Sequence, residues 1–225
     1  MRRIVGAMSR GLHLDAYLLA FDTGAQRLQD RTRAGFLLRA AALAELAHRG
    51  ALAEDASGRV HVVSGAATGD PVLDALLAEV GTAPRTWRAW IRRGREDTLV
   101  AVEERLAALG AVTMADRDPY GPVAPRRLVT VEDPREALYL QVRVAELVCG
   151  SAPVAGAPFA DAVLAALAAH GHLRLVLTRQ DRRRHAERIH ALTHRLADPA
   201  PGLARAVNGL NLTMIAAQGG TGGGG

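Results

Sequence analysis

Lysine is absent from this chain, so all 28 of its basic residues are arginine. Against 23 acidic residues they leave a net charge of +5. The lysine-free, alanine-rich composition reads first as coding bias. Even so, a guanidinium offers a planar fork that suits phosphate better than an ammonium does, so anionic partners are admitted. Aromatic residues are scarce, at 4%. A core must then be built from Leu, Ala and Val, which favours close-packed helices over a β-sandwich. Cysteine is reduced to Cys149, which excludes an internal disulfide and suits a reducing, cytoplasmic compartment. No window supplies the roughly 18 to 20 uncharged apolar residues of a membrane span. The longest candidate, Leu147 to Ala160, holds two Pro and two Gly. Met1-Arg-Arg and the apolar stretch after it do not make a leader, because Asp15 interrupts and no small-residue cleavage site follows. The chain is expected to be soluble.

The motifs of catalysis are missing too. There is no Gly-x-Ser-x-Gly and no CxxC, and the terminal glycines carry no Lys and do not join a strand to a helix. His185, His190 and His194 share a helix, but only the last pair shares a face, with no acid at ligand spacing. They read as surface residues. His170 and His172 flank Gly171 at a helix end, an ordinary place for histidine beside the helix dipole. No catalytic residue, metal ligand or cofactor is expected, and the chain does not read as an enzyme.

What is present is helix. At 225 residues, 49% of them apolar, the chain can bury a real core. Residues 12–217 read as one domain, between a flexible 1–11 and a glycine-rich tail, 218–225. From Gly35, Leu38, Ala42, Leu43 and Leu46 form the stripe of a helix buried along one side. Gly50 stops it after Arg49. Two β-type runs, Ala51 to Glu54 and Val60 to Ser64, then read as a hairpin. The arrangement recurs: Glu103 to Ala115 repeats it, with Gly110 in the place of Gly50 and Arg127 to Val131 as the returning strand. The fold class expected is mainly α, a helical core ringed by amphipathic helices, with two short helix-plus-hairpin units.

Around this frame, Leu12 to Phe21 reads as either a helix or an inner strand, and Gln26 to Arg33 as a polar loop. Asp70-Pro71 and Asp133-Pro134 are cap-then-proline helix starts. Thr86 to Leu109 reads as one or two helices with Gly94 between them. Phe159 to His170, apolar on most sides, is the central helix. Gln180 to Leu196 and Leu203 to Ala217 close the fold. Three arginine clusters stand out: Arg27, Arg31, Arg33 and Arg39; Arg88, Arg92, Arg93 and Arg95; and Arg182 to Arg184. A solvated face is the commoner meaning of each. As binding sites, they suit an anionic membrane surface, or else duplex DNA read by a winged-helix-type regulator.

The order of segments resembles the Golgi phosphoprotein 3 family, including its bacterial members. The resemblance rests on LLRAAALAELAHRGAL, TGDPVLDALLAEV, WI, ERLAALGAV, FADAVLAALAAHGHL and VNGLNLTMIAA, and spans residues 12 to 217. It implies a mostly helical fold. In the eukaryotic members it also implies peripheral attachment through phosphatidylinositol 4-phosphate and binding of enzyme tails. Their headgroup pocket uses a Trp, a helix Arg and two further Arg. Here Arg39 matches the helix Arg; the Trp position falls near Asp30, and the other two Arg positions fall near Glu96 and Leu99, with Arg95 one step off. The function implied is a peripheral, membrane-associated binding or adaptor module for an anionic phosphorylated headgroup, with a partner protein's tail as a further ligand. Nucleic acid, in a winged-helix-type regulator, is the second reading. The expected lipid site is a recess formed by Arg39 with Arg31, Arg33 and Arg95. The eukaryotic self-association hairpin, which would fall between Ile91 and Glu103, is missing. A monomer, or a dimer through another surface, is expected; the Trp87 and Trp90 region is the most apolar candidate for that surface, although burial of both in the core is the commoner outcome for such residues.

Overall fold

The computed structural model describes residues 10–63, 65–115 and 128–219. The expectations for the first nine residues, Ser64, the proline-bearing stretch 116–127 and the last six residues lie outside them. Of the described residues 63% are helical, in eleven α-helices beside only small antiparallel sheets, so the mainly-α expectation holds.

The first segment resolves as a helix, α1 (Leu12–Ala20), followed by a two-residue ladder, β1 (Phe21–Asp22) with β2 (Arg27–Leu28). The stretch expected as a polar loop therefore holds a strand and the start of α2 (Arg31–His48). That start is set by Asp30, whose side chain accepts from the backbone N–H of Arg33 at 2.8 Å, satisfying one of the helix's orphan donors. A stripe along one side was expected of α2, yet it is buried without a break from Ala34 to Ala47. Its alanines at 40, 41, 42, 44 and 47 let neighbours approach from every direction, and α1 crowds it most.

The first hairpin is β3 (Leu52–Glu54) with β4 (Arg59–Val62), in register Leu52 to Val62. Then come α3 (Pro71–Val80), β5 (Arg85–Thr86), α4 (Trp87–Arg92) and α5 (Arg95–Ala108), with β5 adding a third strand beside β4. The second hairpin is β6 (Val112–Ala115) with β7 (Leu128–Val131). It stands to α5 as the first stands to α2. Both helices end the same way: Gly50 (φ +70°) and Gly110 (φ +68°) are left-handed. Ala51 N–H reaches Leu46 O, and Ala111 N–H reaches Leu106 O, both at 2.9 Å. These are Schellman ends, where glycine avoids the Cβ penalty of the left-handed region.

The rest is helical: α6 (Pro134–Cys149), α7 (Phe159–His170), α8 (Arg179–Arg184), α9 (Ala186–His194), α10 (Pro201–Asn208) and α11 (Leu210–Gly219). The single helix expected over 180–196 is broken at His185, and the closing one at Gly209. As expected, α7 is central: every residue from Ala162 to Ala169 is buried. It packs on α1, α2, α6, α9 and α10, and the buried apolar residues form one cluster from Leu12 to Met214. Trp87 and Trp90 belong to it, at 2% and 1% exposure, so neither offers a surface for self-association.

A polar knot runs through this core. His13, wholly buried, has Nδ1 at 3.2 Å from Glu45 Oε2 and Nε2 at 3.2 Å from Asp70 Oδ1. Arg49 and Arg105 pair with the same two carboxylates. Asp70 also caps α3 by accepting from Val72 and Leu73 N–H. Burial lowers the pKa of His13, but hydrogen bonding and attraction to Asp70 and Glu45 outweigh it and leave the imidazole above its ordinary value. The carboxyl of Asp70 lies below its ordinary range. Its burial works against ionisation, and is overcome chiefly by His13. Charges in this knot are matched, as buried charges must be.

Candidate anion-binding site

The four arginines expected to form one recess do not share it. Arg39 projects from α2 into the core, 3% exposed. Its Nη2 donates to Glu79 Oε2 at 2.5 Å, Nη1 to Thr98 Oγ1 at 3.1 Å and Nε to the Trp90 carbonyl at 3.1 Å. With its donors engaged inside the protein, it cannot meet a headgroup at the surface. The physical reason is α3, which swings the carboxylate of Glu79 over a position that the helix alone leaves unassigned.

Arg31 is engaged as well. It forks onto Glu103 at 2.6 and 2.9 Å, and Tyr17 donates to the same carboxylate at 3.1 Å. Burial, then the charge of Glu103, pushes the Tyr17 hydroxyl well above its ordinary value. Arg95 lies over the ring of Phe36, 5.0 Å from its centroid, and donates to the Arg92 carbonyl and to Glu96. Arg33 lines a recess, and its neighbours there come from elsewhere in the chain.

That recess is a cleft of about 240 Å³ lined by Ala20, Gln29, Asp30, Arg33, His172, Leu173, Arg174 and Arg182. The N-terminus of α2 aims Arg33 into it, and Nη1 of Arg33 donates to the Gly171 carbonyl at 2.7 Å. A cation on the last carbonyls of α7 is favourable by charge and by hydrogen bonding. Arg182 comes from α8, whose start is locked by a capping box between Thr178 and Asp181. Its Nη1 donates to the Leu177 carbonyl at 2.8 Å. Arg174 and His172 come from the connection between α7 and α8.

Here charge is not matched. Partial burial, then the guanidinium groups of Arg174, Arg179 and Arg33, depress the pKa of Arg182. Partial burial and the same crowd (Arg182, Arg33, Arg174) hold His172 below its ordinary value. The one carboxylate lining the cleft is Asp30, 3.5 Å from Arg33 Nε and already engaged as a helix cap. A recess whose lining cations repel one another favours an anion that bridges them.

Arg33 and Arg182 stand in the arginine clusters of the sequence, whereas His172 reads there as an ordinary helix-end residue and Arg174 belongs to no cluster. The one signal was the spelling Ala-His-Gly-His-Leu, in which a glycine stops the helix and a histidine follows it.

The winged-helix alternative loses its reading helix. The helix before the first hairpin, α2, is enclosed by protein. The helix before the second, α5, exposes Glu96, Asp97, Val100, Glu104 and Ala108, an acidic face that phosphates would repel. No described helix is long and apolar enough to cross a membrane. Among the described residues, no three His, Cys, Asp or Glu side chains gather as a metal site. Compared with known proteins, residues 12–210 match the model of the Golgi phosphoprotein 3 (GPP34) family. No curated protein sequence matches the chain.

Proposed function

The chain belongs to the Golgi phosphoprotein 3 family, and from that premise we propose that it is a peripheral module docking on membranes that display anionic, phosphorylated headgroups. One observation carries the reading: Arg33, Arg174 and Arg182 converge on a single cleft with only one carboxylate among its lining residues. Guanidinium groups near a membrane surface each contribute about 1 kcal/mol of attraction to anionic lipid, and three in one recess add a geometric preference for a phosphate group. The reading therefore keeps Arg33 from the expected set and replaces Arg31, Arg39 and Arg95 by Arg174 of the α7–α8 connection and Arg182 of α8.

Vesicle flotation tests it. The protein should float with phosphatidylcholine vesicles containing phosphatidic acid or a phosphoinositide, and not with phosphatidylcholine alone. Binding should fall as salt is raised and should fall with Arg33→Gln or Arg182→Gln. Flotation that is unchanged by both substitutions, or tight binding to duplex DNA without any to vesicles, would sink the proposal.

A further inference from the structure

Three helices, α2, α5 and α7, end in the same six-residue hydrogen-bond pattern, and the third breaks the rule the other two keep. At the end of α7, Leu173 N–H reaches Ala168 O at 3.0 Å and His172 N–H reaches Ala169 O at 3.3 Å. The left-handed residue of this end is His172, with φ +54°. Gly50 and Gly110 fill that position in α2 and α5. A glycine is at hand, but it sits one residue early, at Gly171, with an ordinary helical φ of −80°. Packing explains the shift: a Cβ on Gly171 would come within 2.5 Å of Leu37 Cδ2 and of the Leu167 carbonyl. The close approach of α2 claims the glycine, and the strained position falls to a histidine whose side chain lines the arginine cleft. Residues held in sparsely populated backbone regions concentrate at binding sites.

We propose that His172 is a ligand-binding side chain of the cleft: a tetrahedral dianion, the terminal phosphate of a monoester, bridges Arg33, Arg174 and Arg182 and recruits His172 as a fourth, proton-dependent cation. Binding of the dianion then takes up a proton and tightens as pH falls, until the monoester itself gains a proton near its second pKa of about 6. This rests on the cleft being the anion site of the proposed function and adds its fourth ligand and its regulation.

The groups facing His172 leave it as the titrating one. Arg33 and Asp30 come from the start of α2, Arg182 from α8 and Arg174 from its own connection. They are three guanidinium groups and a carboxyl, side-chain types whose reference pKa values lie outside the range 5.5 to 8. His170, at the end of α7, is held at about 4, first by burial and then by repulsion from His172 and His190. It stays neutral across that range. His190 lines a separate groove with Thr193 and Asn208. The chemistry has two sources, a lipid headgroup or a soluble phosphate, and both fit the cleft.

Sulfate, a dianion that does not titrate in this range, is the probe. Calorimetric titration of the full chain with sulfate at pH 5.5 and 8.0 should show binding tighter at the lower pH by about fivefold, the contribution of one added charge. His172→Gly places glycine where the backbone already favours it, so the fold is safe. It should bind sulfate equally, and weakly, at both pH values. Arg182→Gln should weaken binding at both. Competition by inorganic phosphate against vesicles containing phosphatidic acid separates the sources: loss of flotation at low millimolar phosphate assigns a soluble ligand, and its persistence assigns the headgroup. A pH dependence that survives in His172→Gly overturns the inference, as does wild-type binding that is flat with pH. If vesicle binding depends on Arg33 and Arg182 but ignores His172, the membrane reading stands and this inference falls. If sulfate binds in a proton-linked way and no vesicle does, the membrane reading falls alone.

Discussion

Arg33 and Arg39 lie on one helix, less than two turns apart, and have opposite fates. Arg39 meets a carboxylate delivered by α3 and becomes part of the core. Arg33 meets a carbonyl, a capping aspartate and two further guanidinium groups, and remains partly open to solvent. The comparison teaches that an arginine in this protein is structural or available for binding according to whether another helix brings it an acid. Residue type and helix position do not decide it. The same contrast separates the knot around His13, where cations and carboxylates interleave, from the cleft at Arg33, where cations outnumber them.

The largest effect should come from unmatching the core pair. Glu79→Ala leaves the Arg39 guanidinium buried without its acid and should cost about 3 kcal/mol of unfolding free energy, since a single-partner deletion at a buried pair costs about 3–5 kcal/mol and Glu79 is partly solvated. Arg39→Met, which removes the buried charge itself, should cost less. Urea denaturation of both variants checks the order; the reverse order would mean that Arg39 does not depend on Glu79.

Next comes the pH response of the knot. His13 is raised in the folded state, so its contribution is complete below its ordinary pKa of about 6.5 and is lost as pH rises through the raised value. Asp70 and Glu45 are lowered, so theirs is present above the ordinary carboxylate pKa and lost in acid. Asp15, raised to about 6 by burial, opposes them and costs stability as pH climbs toward 6. The midpoint of urea unfolding should therefore fall on both sides of mildly acidic pH. His13→Gln should flatten the alkaline limb, and a limb that persists in that variant would remove His13 from the account.

The cleft should behave in the opposite sense to the core. Arg182→Gln relieves repulsion among cations, so stability should change by no more than about 0.5 kcal/mol. Vesicle affinity should meanwhile drop about fivefold. Loss of stability together with affinity would make Arg182 a structural residue like Arg39 and erase the contrast. Effects of about the size of that affinity change should come from the helix ends. Gly50→Ala forces a Cβ into the left-handed region at a place with open space around it and should cost about 1 kcal/mol. His172→Gly removes the same penalty and should raise stability by a similar amount. Equal signs for the two would show that His172 is held by contacts of its side chain rather than merely tolerated.

Much of this was legible in the chain. Asp70-Pro71 and Asp133-Pro134 start helices because an aspartate that caps and a proline that needs no donor act within three residues. Gly50 and Gly110 end them because a left-handed backbone is a local requirement. The scarcity of aromatics and the runs of Ala and Leu made α7 a central helix by composition alone. These are interactions of short range, so the sequence by itself determined these helix starts and stops, the two repeated units and the family. Tertiary structure decided everything that depends on which helix faces which. Only the packing of α3 against α2 took Arg39 out of the surface. Only the press of Leu37 against Gly171 moved the left-handed position onto His172. And only the return of the α7–α8 connection to the start of α2 brought Arg174 and Arg182 to Arg33, across some 140 residues of chain. A charge knows its neighbours along the helix from sequence, but whether it is neutralised depends on partners that packing alone selects.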